Sequence, residues 1–159
     1  MLYAENSILP PDIPMLAPAS ASASELTITP DRTSVNSKFG VGVRWAGSAY
    51  VDGNAWPYCD GNFVWLPAGK HVLTRPPRDA ALPRTRLIDF NGEINTVTAT
   101  VRGLDLAYKA EARAIAILDR TPVTMRIDGV VTVMKTLKRR DATVVLLPAG
   151  SHHVEFVTQ

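Results

Sequence analysis

The residues best suited to chemistry in this chain are aromatic, and they are clustered. All three tryptophans and two of the four tyrosines lie within 21 residues, at Trp45, Tyr50, Trp56, Tyr58 and Trp65. Aromatic rings stack on the apolar faces of sugar rings, and adjacent Asp and Asn side chains bond sugar hydroxyls. The same stretch supplies such polar groups at Asp52, Asn54, Asp60 and Asn62. This combination predicts a carbohydrate site.

The sequence pattern separates these aromatic residues into two groups. Trp56 and Tyr58 flank Pro57 in a predicted loop, where burial is harder, so they are the stronger ligand candidates. Trp45 and Trp65 lie in strand-like runs and are also explained as core residues. We predict a ligand site built on Trp56 and Tyr58, with contributions from Trp45, Tyr50, Asp52, Asn54 and Asp60.

Other residues with chemical potential favour structural roles, and no catalytic residue is predicted. The single cysteine, Cys59, has no flanking basic residue that would lower its pKa and make it a nucleophile. His152 and His153 are neighbours that point to opposite faces of a predicted strand, so they cannot easily share a zinc ion. The acids that could form a glycosidase pair lack a strand-end motif: Asp89, Glu93, Asp105 and Glu111. A small hydrolase is the weakest alternative.

Two turns rich in side-chain oxygen atoms make calcium a possible cofactor. Asp52-Gly53-Asn54 and Asp60-Gly61-Asn62 lie eight residues apart, and loops of this kind can hold calcium. Asp and Asn beside Gly are also the usual residues of hairpin turns, which explains the triplets equally well. We therefore predict no cofactor, with calcium as the alternative.

Composition bounds the class of protein and its partners. Hydrophobic residues make up 46% of the 159 residues and charged residues 20%, as in ordinary globular proteins. The 17 basic residues are offset by 15 acidic ones, so no single-sign field predicts binding to nucleic acid or membrane. One cysteine allows no internal disulfide, and no stretch approaches the roughly 20 apolar residues of a membrane span. The opening of the chain lacks signal-peptide features and predicts a domain excised from a larger protein.

An internal repeat is the clearest organising signal. Asp52-Gly53 followed by Leu66-Pro67-Ala68-Gly69 and His71 recurs as Asp128-Gly129 followed by Leu147-Pro148-Ala149-Gly150 and His152. Asp-Gly and Pro-Ala-Gly are both turn sequences, so each copy predicts a three-stranded meander. The shared place of His71 and His152 predicts that these histidines bond the turn backbone. Leu146 occupies the place of Trp65, which favours a core role for that tryptophan.

Short alternating runs bounded by turn residues predict an all-β, antiparallel β-sandwich, Ig-like or jelly-roll-like, with two diverged copies of the meander. The Pro-, Ala- and Ser-rich residues 1–25 predict an extended arm or linker before a module over 26–159, with possible sub-units 26–75 and 84–159. The Ala-rich stretch 104–118 has helical propensity, but its alternation favours a strand. The basic residues of 135–140 predict a solubilising hairpin tip, with polyanion binding as the minor alternative.

The repeated turn unit, together with Leu118-Asp119-Arg120-Thr121-Pro122 leading into Asp128-Gly129, resembles C-terminal accessory β-sandwich domains of bacterial secreted glycoside hydrolases. The resemblance implies a secreted, non-catalytic module whose partners are a polysaccharide or oligosaccharide and the parent catalytic domain. No ligand-binding residue carries over, because the shared positions are turn residues. The sequence thus predicts a carbohydrate-binding module, with a structural accessory domain that packs on a catalytic domain and has no ligand as the alternative.

Overall fold

A computed structural model describes residues 15–16, 23–29 and 31–158 of the chain. Every regular element in these ranges is a β-strand, and the strands pair antiparallel. The all-β sandwich predicted from alternation is confirmed, including strands where 104–118 had helical propensity. The described ranges contain no helix of the length and apolarity that crosses a membrane.

The chain divides into two compact units. Unit 1 comprises 1–54 and 61–80, and unit 2 comprises 55–60 and 81–159. The sequence suggests sub-units 26–75 and 84–159, and the boundary between the two compact units lies near the boundary between these sub-units. The segment 55–60, however, belongs to the second unit. Within unit 2 this segment is held by backbone hydrogen bonds, from Cys59 N to Leu87 O and from Leu87 N to Pro57 O.

Unit 1 contains eight strands in two sheets. In chain order they are β1 (Met15–Leu16), β2 (Ala23–Ile28), β3 (Arg32–Ser37), β4 (Val41–Arg44), β5 (Tyr50–Val51), β6 (Asn54–Ala55), β7 (Phe63–Leu66) and β8 (Gly69–Thr74). The larger sheet has the order β2-β3-β8-β5-β6, and the smaller one has the order β1-β4-β7. Of the predicted arm 1–25, β1 and the start of β2 are therefore paired strands, while 1–14 and 17–22 lie outside the described residues.

Unit 2 contains nine strands, again in two sheets. They are β9 (Leu87–Phe90), β10 (Glu93–Thr100), β11 (Gly103–Ala110), β12 (Ala114–Leu118), β13 (Thr124–Ile127), β14 (Val130–Val131), β15 (Lys135–Lys138), β16 (Thr143–Leu147) and β17 (Gly150–Val157). The larger sheet has the order β10-β11-β17-β13-β14, and the smaller one has the order β15-β16-β12-β9.

The two units share one topology. Replacing β2-β3-β8-β5-β6 by β10-β11-β17-β13-β14 maps the larger sheets strand for strand, and β1-β4-β7 maps onto β9-β12-β16. The repeat seen in the sequence is therefore the most visible part of a duplication of the whole unit. Only β15 has no counterpart in the described strands of unit 1.

The prediction that each copy is a three-stranded meander is wrong. The Asp-Gly turns do close hairpins, and both Asp52 (φ 50°) and Asp128 (φ 51°) adopt the left-handed conformation that the tight turn requires. The Leu-Pro-Ala-Gly turns instead carry the chain from the smaller sheet to the larger one, from β7 to β8 and from β16 to β17. Pro and a positive-φ Gly make a sharp reversal both in a hairpin within one sheet and in a connection between two sheets. The turn residues alone therefore do not distinguish the two kinds of connection.

Alternate residues of the strands form the core of each unit. Unit 1 buries Val35, Val43, Trp45, Val64 and Leu73, and unit 2 buries Leu104, Leu106, Tyr108, Val145 and Phe156. The period of two means that the intervening residues of each strand lie on the opposite, outer face of its sheet. In a sandwich these outer positions are the ones open to a ligand or partner.

Candidate functional site

Two of the aromatic residues predicted to bind sugar are core residues. Trp45 is 1% exposed, its Nε1 donates to Ser48 O at 3.2 Å, and the Arg75 guanidinium lies 4.4 Å above its ring. Tyr58 is 9% exposed, and burial raises the pKa of its hydroxyl. Neither ring presents a face on which a sugar could stack, so their assignment to a stacking platform is corrected. Pairing of 57–59 with Leu87 explains why this proline-containing loop is buried.

The other predicted site residues are divided between the two units. Tyr50 in unit 1 and Trp56 in unit 2 are half-buried, and Asp60 in unit 2 is exposed. Asn54 belongs to the Asp-Gly hairpin of unit 1, where its Nδ2 donates to Asp52 O at 3.2 Å. Asp52 likewise serves this hairpin. The residues with described contacts thus fix backbone rather than surround a ligand.

The Asp-Gly turn and the histidine of each copy form one structural device, which we call the Asp–His clamp. In unit 1, Oδ2 of Asp52 lies 2.8 Å from Nδ1 of His71, and Oδ1 accepts the Val72 N–H at 2.8 Å. Since Asp52 lies in the β5–β6 turn and His71 in β8, the clamp ties the hairpin to its neighbouring strand. The prediction that His71 bonds the turn backbone is therefore wrong in its partner, because the imidazole bonds the Asp52 carboxylate.

Unit 2 repeats the clamp with an additional contact. Oδ2 of Asp128 lies 2.7 Å from Nδ1 of His152, and Oδ1 accepts the His153 N–H at 2.9 Å. Nε2 of His152 also lies 3.0 Å from Ala149 O in the Leu-Pro-Ala-Gly turn. Both ring nitrogens therefore face acceptors, so the imidazolium satisfies both contacts while a neutral ring satisfies one. In unit 1, Nε2 of His71 has no such partner among the described residues.

The clamp of unit 2 predicts a pH-dependent stability. The Asp128 hydrogen bond raises the pKa of His152 above 6.5, and the His153 N–H lowers the pKa of Asp128 below 3.8. The histidine contribution is complete below pH 6.5 and is lost as pH rises through the raised value. The carboxylate contribution is present above pH 3.8 and is lost as pH falls through the lowered value.

We therefore expect the thermal midpoint to fall as pH rises from about 5.5 to about 8.5. His152→Gln keeps a side-chain donor but does not titrate, so it flattens this dependence. Differential scanning calorimetry across this range measures the effect. An unchanged pH slope in His152→Gln would show that other groups cause it.

The remaining candidate residues take structural positions. Cys59 is buried, as expected of an unreactive thiol, and this burial raises its pKa. In unit 2, Asp105 lies directly opposite Glu155 on the outer face of the larger sheet. Within the described ranges no three His, Cys, Asp or Glu side chains come together in a group that could hold a metal ion.

The outer face of the smaller sheet in unit 1 carries aromatic side chains, and we call it the aromatic face. Phe63 and Trp65 alternate along β7 with the buried Val64 and Leu66, and their ring centroids are 6.0 Å apart. Trp65 lies directly across Gly42 of β4, where a Cβ would come within 2.5 Å of the indole ring. Trp65 is half-buried on this outer face, so the core role predicted for it is wrong.

The equivalent face in unit 2 is aliphatic, and we call it the aliphatic face. Register places Ile115 and Ile117 of β12 beside Leu146 and Val144 of β16. Leu137 of β15 continues the row beyond Val144 and is 63% exposed. Ile115 is 37% exposed at the other side of the patch. Ile117 and Leu146 are half-buried and Val144 is only 8% exposed, so the exposed parts of the row are its two ends at Ile115 and Leu137. The outer face of a sandwich sheet is usually polar, so five neighbouring aliphatic side chains on it are unusual.

Sequence reasoning did not identify these faces, although a signal was present. The stretches 63–66, 114–118 and 144–147 are apolar at consecutive positions rather than at every second one, which is typical of strands with two apolar faces. The basic residues assigned to a hairpin tip are also placed differently. Lys135 and Lys138 lie in β15, an edge strand, and only Arg139 and Arg140 lie in the turn that follows.

Comparison of the chain with protein-family models, with curated proteins and with solved structures finds no match.

Proposed function

We propose that this chain is a non-catalytic interaction module that attaches to another protein through the aliphatic face of unit 2. The observation that carries the proposal is the run of aliphatic side chains on the outside of the smaller sheet, from the exposed Ile115 to the exposed Leu137. Covering the exposed ends of this row and its half-buried members removes apolar area from water, which favours association. The resemblance to accessory domains makes the catalytic domain of a secreted glycoside hydrolase the first partner to test.

The chemistry of the described residues supports this proposal over a small hydrolase. Histidines at both clamps already bond a carboxylate of a turn, and Cys59 is buried with a raised pKa. A nucleophile and its base need to meet in a cleft that admits substrate. The conserved geometry of the two clamps instead gives each unit a rigid hairpin, which suits a module that presents a surface.

Site-specific photocrosslinking tests the attachment. A benzophenone amino acid at position 137 should form one defined adduct in cells that express the chain together with its proposed glycoside hydrolase partner, because this position lies in the proposed contact. The same amino acid at position 101, which holds a valine that is 85% exposed elsewhere in unit 2, is the matched control. Mass spectrometry identifies the adduct.

The adduct at position 137 should disappear when Ile115→Asp is added, since a charge on the aliphatic face opposes burial. Circular dichroism confirms that this variant folds, as expected for an outer position. Equal labelling from positions 101 and 137, or an adduct insensitive to Ile115→Asp, would contradict the proposal.

Carbohydrate binding is the second candidate function, and the aromatic face favours it. Phe63 and Trp65 lie on the outer side of β7, and Arg44 occupies the position opposite Phe63 on β4. A pair of rings beside a guanidinium supplies both stacking and hydrogen bonding to a sugar. The second candidate therefore uses Phe63, Trp65 and Arg44 in place of Trp45 and Tyr58.

Titration of tryptophan fluorescence with soluble xylan, β-glucan and mannan tests this candidate. If the aromatic face binds glycan, Trp65→Ala weakens binding about tenfold or more, equivalent to about 1.4 kcal/mol of lost stacking. Trp56→Ala retains the affinity and serves as the control. A loss confined to Trp56→Ala would support the loop site predicted from the sequence, and no response to any glycan would remove carbohydrate binding.

A further inference from the structure

The strand β15 is an addition to the duplicated fold. Unit 1 has no described counterpart, since its smaller sheet ends at β7 while that of unit 2 continues from β16 to β15. All four residues of β15 are exposed, and β16 is its only partner among the described strands. The backbone of β15 thus forms the edge of the sheet, beside the aliphatic face. An edge of this kind can accept a further strand.

Register assigns the side chains of β15 to two faces. Lys135 pairs with Leu146 and Leu137 pairs with Val144, which places both on the aliphatic face. Thr136 and Lys138 lie on the opposite face. Lysine on an edge strand usually prevents unwanted pairing, but a central leucine that is 63% exposed does the opposite. The edge of β15 can therefore pair with some strands and not with others, depending on the side chains that they place opposite Lys135, Leu137 and Lys138.

The charges near this edge are uniformly basic apart from Asp141. Lys135, Lys138, Arg139 and Arg140 are all exposed, and none of them forms an ion pair with another residue of the described ranges. Opposite charges directly across a strand pair stabilise it, and like charges destabilise it. The edge consequently favours a strand that carries carboxylates.

A second copy of this chain fits the edge poorly. Antiparallel pairing of β15 with itself over its full length places Lys135 opposite Lys138 at both ends of the contact. It also brings the two Arg139–Arg140 turns toward the same contact. Charge complementarity therefore points to a different, acidic protein segment as the occupant.

We propose that β15 binds an extended acidic segment of the partner protein as an additional antiparallel strand. The register specifies the sequence of the segment. Because the pairing is antiparallel, the segment from its N-terminus to its C-terminus lies opposite Lys138, Leu137, Thr136 and Lys135 in turn. The pattern is acid, aliphatic, any residue, acid. The aliphatic residue extends the row formed by Leu137, Val144 and Ile117. This inference rests on the proposed function and specifies the chemistry of its partner.

Nuclear magnetic resonance titration of the ¹⁵N-labelled chain tests the inference. The probe is a synthetic peptide that contains Thr-Glu-Val-Thr-Glu-Thr, and the control peptide replaces both Glu residues by Lys. We expect saturable shifts of the β15 and β16 amides with the acidic peptide only. In Lys135→Glu/Lys138→Glu the preference reverses, with about a tenfold loss for the acidic peptide and binding of the basic one.

Leu137→Thr provides the second variant, and it should weaken binding of the acidic peptide while leaving the charge preference unchanged. Because β15 is fully exposed, these variants should retain the amide spectrum of the folded chain. No shifts at about 1 mM peptide, a range that detects weak complexes, would overturn the inference. Binding that ignores the charge reversal would also overturn it. In either case a position-137 crosslink that depends on Ile115 would leave the proposed function standing.

Discussion

Trp45→Ala should lower the free energy of unfolding by about 3–5 kcal/mol, the range observed when a fully buried large aromatic side chain is truncated. The ring is 1% exposed, so its removal leaves a cavity in unit 1. The variant also loses the Nε1–H bond to Ser48 O and the Arg75 guanidinium contact. Urea unfolding followed by far-ultraviolet circular dichroism measures the change without relying on the deleted fluorophore.

Trp65→Ala is the matched control, because it removes the same side chain from the outer face of the same small sheet. Partial burial predicts a loss of about 1–2 kcal/mol, less than that of full burial. Equal losses in the two variants would contradict the assignment of Trp45 to the core and Trp65 to the outer face. The two stability losses also show how a loss of glycan binding is to be interpreted. Trp65→Ala removes a side chain from the surface, whereas Trp45→Ala creates a cavity in the core.

The period of apolar residues was enough to predict the all-β fold, because most strands bury one face. It also placed Asp52 and Asp128 in tight turns, where Asp-Gly accepts the positive φ that closes a two-residue hairpin. Turn residues specify a local reversal and carry no information about which sheet the next strand joins. The transfer from β16 to β17 between sheets was therefore beyond the sequence pattern.

The site was predicted less well, since exposure depends on tertiary partners. Tyr58 lies in a segment with Pro57 that reads as a loop, yet backbone pairing with Leu87 buries it. The recurrence of Leu146 at the place of Trp65 predicts a core position, whereas both residues lie on equivalent outer faces. A repeat shows that two residues share an environment. It does not show whether that environment is the core or the surface.

Gly103→Ala tests whether the start of β11 requires the absence of a side chain. The residue has φ +155°, and a Cβ would lie 2.1 Å from the backbone oxygen of Phe156 and 3.2 Å from Thr158 N. Because the obstacle is the backbone of β17, the clash cannot be relieved by a side-chain rotation. Overpacking costs about 1–3 kcal/mol and backbone strain about 1–3 kcal/mol more, so we expect a loss of about 2–6 kcal/mol.

Gly129→Ala separates the two contributions to this loss. Gly129 also has a positive φ, of 81°, but a Cβ there meets nothing within 4 Å, so only backbone strain of about 1–2 kcal/mol is expected. Chemical denaturation of both variants gives the difference that belongs to the contact with β17. If Gly103→Ala lost no more than Gly129→Ala, the close approach of β11 and β17 would be refuted. That approach pairs the start of β11 with the end of β17, where Gly103 lies opposite Val157.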